Sequence, residues 1–234
     1  MNTVHGQGRE LLLQARNISR TFKSGAGEVH ALKKVTVELA SAELLVVRGP
    51  SGSGKTTLLN ILGSLDKANS GEVWLGEHNL NTMKDDELAK LRSDNIGFIF
   101  QTFGLVPVLS AQENVELPLR IQGLNANERV KRATEALELV GLGPHRMQRP
   151  YELSGGQQQR VGIARALAAN PKILIADEPT GQLDSKTAES IIDLIISLVR
   201  ARGMSAIIST HAPDLMARAD RILTLRDGEI VGEE

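Results

Sequence analysis

No cysteine occurs among the 234 residues. Disulfides, thiolate zinc sites and iron–sulfur clusters are therefore excluded, and a reducing compartment fits. No apolar run approaches the roughly 18 residues that a membrane-spanning helix needs. Met1–Glu10 is polar and lacks a signal-peptide pattern. Any service to a membrane is thus expected from the cytoplasmic face of the cell membrane, peripherally and through a partner. A surplus of one charge is also missing, since 27 Lys and Arg against 28 Asp and Glu leave a net charge of −1. Bulk electrostatic binding of nucleic acid or anionic lipid is disfavoured accordingly. Internal repeats, low-complexity tracts and linkers do not occur. The remainder, 41% apolar and 24% charged residues, is that of an ordinary globular chain.

Against that background one stretch stands out. Leu44–Val47 reads as a short buried strand, and Lys55 opens a helical run through Leu58, Leu59 and Ile61. Between them Gly49, Pro50, Ser51, Gly52, Ser53, Gly54, Lys55, Thr56 and Thr57 contain G-x-x-x-x-G-K-[ST] in the strand-before, helix-after context of a phosphate-binding loop. Glycines permit a backbone whose N–H groups converge on phosphate oxygens at a helix N-terminus. Lys55 is expected to reach the β- and γ-phosphates, and Thr56 to hold Mg²⁺.

Upstream, Leu11 to Ser41 reads as antiparallel strands joined by a polar loop, Lys23 to Glu28. Phe22, beside that loop, is either a core residue or a platform for adenine. Downstream, Ser70-Gly71-Glu72 reads as a turn before a short strand, Val73–Leu75. Asp85 to Arg92 reads as a helix with charges that complement its dipole. A strand-like run, Ile96–Phe100, leads into Gln101. Thr102 to Pro118 reads as an apolar, proline-containing loop region, either packed under its own side chains or a partner-docking surface. Asn127 to Val140 reads as an amphipathic helix ended by Gly141.

Ser154, Gly155, Gly156 and Gln157 open a second helix with a capping-box spacing. That junction is either a helix cap alone or a second anion site. Ile173–Ala176 is a continuous apolar run, as expected of a central parallel strand, and ends in Asp177-Glu178. Ser185 to Arg202 reads as a long helix, Ala206–Thr210 as another buried strand with His211 at its exit, and Arg221–Val231 as a hairpin with an Asp227-Gly228 turn. Gly49, Asp177-Glu178 and His211 all follow carboxyl ends of apolar strands, where open α/β sheets bind ligands. Asp177 fits the metal-associated acidic residue of a P-loop enzyme, and Glu178 a general base. A histidine in the place of His211 can sense a γ-phosphate.

Taken in order along essentially the whole chain, these motifs resemble the nucleotide-binding subunit of an ATP-binding-cassette (ABC) transporter. Gly49–Thr56 is similar to the Walker A loop, Gln101 to the Q-loop glutamine, Leu153–Gln157 to the LSGGQ signature, and Ile173–Glu178 to Walker B with its glutamate. Thr180–Asp184 resembles the D-loop, His211 the switch histidine, and Phe22 the adenine-stacking aromatic. Sequences around the motifs, such as Glu113-Asn-Val-Glu-Leu-Pro-Leu, resemble the lipoprotein-release, macrolide-export and peptide-antibiotic-resistance branch. Gln182 and Ala212 depart from that pattern, which more often has Asn or Ala at the first position and Asp at the second.

The resemblance implies an α/β fold: one ATPase domain over 1–234 with a P-loop core on a mixed, largely parallel sheet, an N-terminal antiparallel β subdomain, and a helical signature subdomain at about 102–168. It implies ATP and Mg²⁺, with Thr56, Gln101 and Asp177 toward the metal, Glu178, His211 and Gln101 in catalysis, and Asp184 beside the nucleotide. It further implies a head-to-tail dimer with a second copy, in which ATP on one Walker A loop faces the other copy's Ser154, Gly155 and Gly156. An integral membrane permease would be the further partner, and nucleic acid is not expected to be one. A soluble cassette ATPase of DNA repair or translation is the alternative, but this chain lacks the paired cassette, coiled-coil insertion or cysteines usual there.

Overall fold

The computed structural model describes residues 10–25 and 27–234, so the polar stretch Met1–Glu10 lies, apart from Glu10, outside the described residues. Strands β1 (Leu11–Ser24) and β2 (Gly27–Ala40) form a long antiparallel hairpin. The buried strand β3 (Leu44–Arg48) runs through the glycine-rich loop into helix α1 (Lys55–Leu62). Then come β4 (Ser70–Leu75), a two-residue β5 (His78–Asn79), helix α2 (Asp85–Asn95) and β6 (Ile96–Ile99). Three helices follow: α3 (Ala111–Ile121), α4 (Ala126–Leu139) and α5 (Gly155–Ala168). The chain closes with β7 (Ile173–Asp177), α6 (Ser185–Ala201), β8 (Ser205–Ser209), the short α7 (Pro213–Met216), and the hairpin β9 (Arg221–Arg226) and β10 (Glu229–Glu233).

The strands divide into a four-stranded antiparallel sheet, in the order β2-β1-β4-β5, and a six-stranded mixed sheet, β10-β9-β3-β8-β7-β6. Within the second sheet β9, β3, β8, β7 and β6 are parallel, and β10 pairs antiparallel with β9. Successive strand residues face opposite sides, and the core records it. Leu44, Val46, Leu174, Ala176, Ala206 and Ile208 pack with α3–α6, whereas Leu45, Val47, Ile173, Ile175 and Ile207 pack with α1 and the antiparallel sheet. The six-stranded sheet is the middle layer between two apolar cores, which explains why its strands read as unbroken apolar runs. The expected site loops leave its carboxyl edge, except the signature and the β1–β2 hairpin that carries Phe22.

Besides Lys23 to Glu28, where strand pairing of Lys23 with Glu28 and Ser24 with Gly27 replaces the expected loop, two segments depart from the sequence reading. Ser70-Gly71-Glu72 is strand, not turn: Gly71 takes a φ of +88°, and the pairing of β1 with β4 shifts register between Arg16 and Ser19. Asn17 and Ile18 of β1 lie opposite this single glycine, so the bulge is on β1 and Gly71 faces it inside a strand. The second is Thr102 to Pro118, whose latter half is helix α3 rather than loop. Ser110 and Glu113 form a reciprocal capping box, and Ala111, Val115 and Leu119 make a fully buried seam. That seam outweighs the one backbone hydrogen bond that Pro118, in the last turn, cannot donate.

The loop before α3 is held from within. Asn114 is fully buried, accepts the Val106 N–H at 2.7 Å, and donates to the carbonyls of Val106, Leu109 and Ser110 at 3.2, 3.1 and 2.9 Å. Replacing it by Leu takes the partner from the Val106 N–H and the Leu109 carbonyl, while the Val106 and Ser110 carbonyls keep the Leu109 and Asn114 amides. Asn114→Leu should lower stability by about 2–3 kcal/mol, read by chemical denaturation; a loss under half a kcal/mol would refute the staple.

Candidate nucleotide-binding site

The loop between β3 and α1 needs glycine at both ends. A Cβ on Gly49 would fall on the Leu225 carbonyl oxygen. One on Gly54, whose φ is +105°, would fall on the Ala31 carbonyl oxygen. Gly54 caps α1 without a side-chain bond, and the first turn of that helix carries no acidic residue. Its free N–H groups and positive dipole end thus face the loop. Ser53 is 2% exposed and its hydroxyl has no hydrogen-bond partner, which leaves a donor inside the loop.

Lys55 is buried, and its Nζ donates to the Gly49 and Pro50 carbonyls at 2.8 and 3.2 Å. The same ammonium lies 3.4 Å from Glu178 Oε1 and 3.4 Å from His211 Nε2, and His211 stands 3.5 Å from that carboxylate oxygen. From the far side Gln101 Nε2 donates to Glu178 Oε2 at 3.4 Å. Next to this group, Thr56 Oγ1 donates to Asp177 Oδ2 at 2.7 Å. Residues from four separate stretches of sequence therefore meet within hydrogen-bonding range of one another.

Lys55, Thr56, Gln101 and Glu178 border a cleft of about 830 Å³, lined also by Phe22, His30, Ser51, Gly52, Thr57 and Asp227, and Asp177 and His211 stand behind that wall against Thr56, Lys55 and Glu178. Phe22 is 40% exposed, and the Arg20 guanidinium sits 4.6 Å from its ring centroid. Arg20 is itself held by a bidentate pair with Asp66, at 2.9 and 2.8 Å. The ring is thereby backed by a fixed cation and offers a flat apolar face at the cleft.

Ser154 to Gln157 are built as the capping box the spacing implies: Ser154 N–H donates to Gln157 Oε1 at 2.9 Å, and Gln157 N–H donates to Ser154 Oγ at 3.3 Å. Yet none of the four lines the cleft. Gly155 packs near Phe103 and Leu183, and Gly156 near Thr187. Asp184 is also outside the cleft and caps α6; hydrogen bonds from the Thr187 hydroxyl and amide hold its carboxyl below the usual range. Ala212, the departure beside His211, starts α7 with no side-chain cap, and its N–H donates to Thr210 Oγ1 at 3.0 Å.

Several residues of the site escape a linear reading. Ser209 is fully buried and its Oγ donates to Asp177 Oδ1 at 2.6 Å. His30 and Asp227 reach the cleft from the β2 strand and the β9–β10 turn, and Gly228 N–H donates to the Ser53 carbonyl at 3.0 Å. Only the Asp-Gly turn left a trace in the sequence, through its hairpin chemistry: φ is positive at both Asp227 and Gly228.

The chemistry of the donors suits Mg²⁺. Among the described residues no group of three or more His, Cys, Asp or Glu could hold a metal ion. Thr56 and Asp177 offer two adjacent oxygens at the cleft. Mg²⁺ is commonly bound that way, by one or two protein oxygens with the rest from phosphates and water.

A strand-loop-helix phosphate cradle at the carboxyl edge of a parallel sheet, with an acidic pair one strand removed, defines a P-loop nucleoside-triphosphate hydrolase. The family model for the ABC transporter matches residues 32–181. An uncharacterized ABC transporter ATP-binding protein of Methanocaldococcus jannaschii is 46% identical over 227 residues, covering 95% of this chain and 97% of its own length. The lipoprotein-releasing system ATP-binding protein LolD 1 of Rhodospirillum rubrum is 43% identical, with 94% and 97% covered. A dimeric structure of the same archaeal protein, in a post-hydrolysis state bound to ADP and phosphate, superposes with a TM-score of 0.89 at 45% identity, covering 95% of this chain and 98% of that one. The chain belongs to the ABC transporter family of ATP-binding proteins, and it is an ATPase of that family.

Proposed function

We propose that this chain hydrolyses ATP in the cleft described above and that two copies, joined head to tail over ATP, drive a membrane permease from its cytoplasmic face. The observation that carries the reading is the convergence of Lys55, Thr56, Gln101 and Glu178 on one cleft, with Asp177 and His211 in contact with them from behind and the signature turn of the same chain outside it. One chain thus offers two anion-binding helix starts that do not meet, and a second copy supplies the missing half of each site.

In that arrangement Phe22 stacks on adenine, the loop amides and Lys55 hold the β- and γ-phosphates, and Glu178 accepts a proton from the attacking water. The water oxygen bonds to the γ-phosphorus while the bond to the β–γ bridging oxygen breaks, leaving ADP and phosphate. His211 and Gln101 orient that water and the γ-phosphate. Thr56 and Asp177, with Gln101 nearby, would hold Mg²⁺, which when bound would supply positive charge to offset that of the phosphates. Loss of phosphate removes the shared ligand, and the dimer opens.

No helix among the described residues is long and apolar enough to cross a membrane, and we assign the attachment to the permease. Within Thr102–Pro118, the loop before α3 with its exposed Val106 and Val108 is the surface we assign to that partner, shortly after Gln101. Relatives include a lipoprotein-releasing protein and a macrolide export ATP-binding/permease protein of Escherichia coli O157:H7, of which this chain spans about a third. Export or extraction of a lipoprotein, peptide or drug is the cargo class that follows.

Tagged Glu178→Gln protein pulled from detergent-solubilised native membranes with ATP should bring down a polytopic permease. Recovery of ribosomal or DNA-repair proteins in its place would overturn the transporter role. Phe22→Ala should weaken ATP binding by about 1–3 kcal/mol and leave the ratio of ATP to ADP affinity unchanged, as read by calorimetric titration. A changed ratio would place Phe22 at the phosphates instead.

A further inference from the structure

Two buried polar side chains reach the main chain on either side of Glu178, and neither is part of the cleft wall. From β8, Ser209 Oγ accepts the Glu178 N–H at 2.9 Å while donating to Asp177; the same amide lies 3.1 Å from the Ser209 carbonyl oxygen. From α5, the fully buried Gln159 donates Nε2–H to the Pro179 carbonyl at 2.6 Å, and its buried Oε1 has no partner. Between these anchors Glu178 takes a φ of +42°, and Gly181 N–H closes the turn on the Glu178 carbonyl at 3.0 Å.

A residue with a Cβ stays in the left-handed region only where its surroundings over-determine it. The conformation also decides where the side chain goes. With this backbone the Glu178 carboxylate meets Lys55 and Gln101 at 3.4 Å and His211 at 3.5 Å. Relaxation toward the right-handed or extended region would rotate the Cα–Cβ bond and swing the carboxylate away from them. A buried, half-satisfied amide such as Gln159 is poor value for packing alone, because an apolar side chain of its shape would avoid the orphaned oxygen.

We propose that Gln159 and Ser209 are positioning residues for hydrolysis, which together hold Glu178 in its left-handed conformation with its carboxylate in the cleft. This rests on Glu178 acting as the general base. Gln159 stands little more than one turn into the helix that Ser154 caps. The signature helix of a chain is therefore tied by one hydrogen bond to Pro179, the residue that follows the base of that same chain.

The test compares Ser209→Ala, Gln159→Met, their double variant and Ser209→Thr, with kcat counted per nucleotide-binding site from titration stoichiometry. Each of the first two should lower kcat about tenfold, with KM and the affinity for a non-hydrolysable ATP analogue within twofold of wild type. The double variant should lose less than the product of the two, because either loss lets the same backbone relax. Ser209→Thr keeps the hydroxyl and should retain most of the rate. Wild-type kcat in both single variants, while Glu178→Gln is inactive, would overturn the proposal and leave the base assignment standing. Wild-type turnover by Glu178→Gln would sink that assignment itself. Fully multiplicative losses with a falling binding stoichiometry would reduce the two residues to structural roles.

Discussion

Glu178→Gln should lower ATP turnover by about 10²–10⁴-fold while leaving nucleotide affinity close to wild type. The glutamine amide keeps the size of the side chain and can still meet the groups around it. It cannot accept a proton from water, so only the step that needs a base is lost. The contacts of Glu178 sharpen the expectation. Its two oxygens face Lys55 and His211 on one side and Gln101 on the other, at 3.4–3.5 Å. Removing the negative charge leaves Lys55 with one anionic neighbour fewer, which favours a bound phosphate. ATP should therefore accumulate between two copies, and light scattering should report a dimer with ATP and a monomer with ADP. Steady-state phosphate release within tenfold of wild type would refute the general-base role.

How far the site could be read from the sequence depends on how its residues are spaced. Gly49 to Thr57 and Asp177-Glu178 are contiguous and carry their strand or helix with them, so local pattern and chemistry coincide. His211 was legible because it follows an apolar strand, and strand ends in such a sheet share an edge; Gln101 was legible through its resemblance to the Q-loop glutamine. Ser209 and Gln159 left no trace of that kind. Ser209 sits inside an apolar run as one small polar residue, and Gln159 is the third of three successive glutamines. Their roles arise from pairings 31 and 20 residues apart.

The fold shows the same division. The apolar runs β3, β7 and β8 and the periodic helices α4 and α6 were visible because burial repeats along them. Helix α3 was hidden by Pro118, since a proline announces a break more loudly than Ala111, Val115 and Leu119 announce a seam. Gly71 likewise reads as a turn where the chain forms a bulge. In both cases a local signal was overridden by packing against elements distant in sequence.

Lys55→Ala should weaken ATP binding about 10- to 100-fold, the equivalent of the roughly 1.5–3 kcal/mol that a hydrogen bond to a charged group supplies. The lysine is buried at the start of α1, and its ammonium is the cation nearest to Glu178 among the contacts of the cleft. Without it, phosphate oxygens would enter a cleft that holds the Glu178 carboxylate, with that of Asp177 behind Thr56 and with helix dipole and amides as the remaining attraction. Lys55→Arg should not restore binding, because a planar fork cannot make the compact contacts that Nζ makes with the Gly49 and Pro50 carbonyls. The comparison with Phe22→Ala separates the two ends of the nucleotide. Losing Phe22 should weaken adenosine and ATP alike, whereas losing Lys55 should weaken ATP, ADP less, and adenosine hardly at all. Equal losses for adenosine and ATP in Lys55→Ala would mean that the loop had collapsed rather than lost a phosphate contact. Unchanged ATP affinity would contradict the phosphate cradle itself.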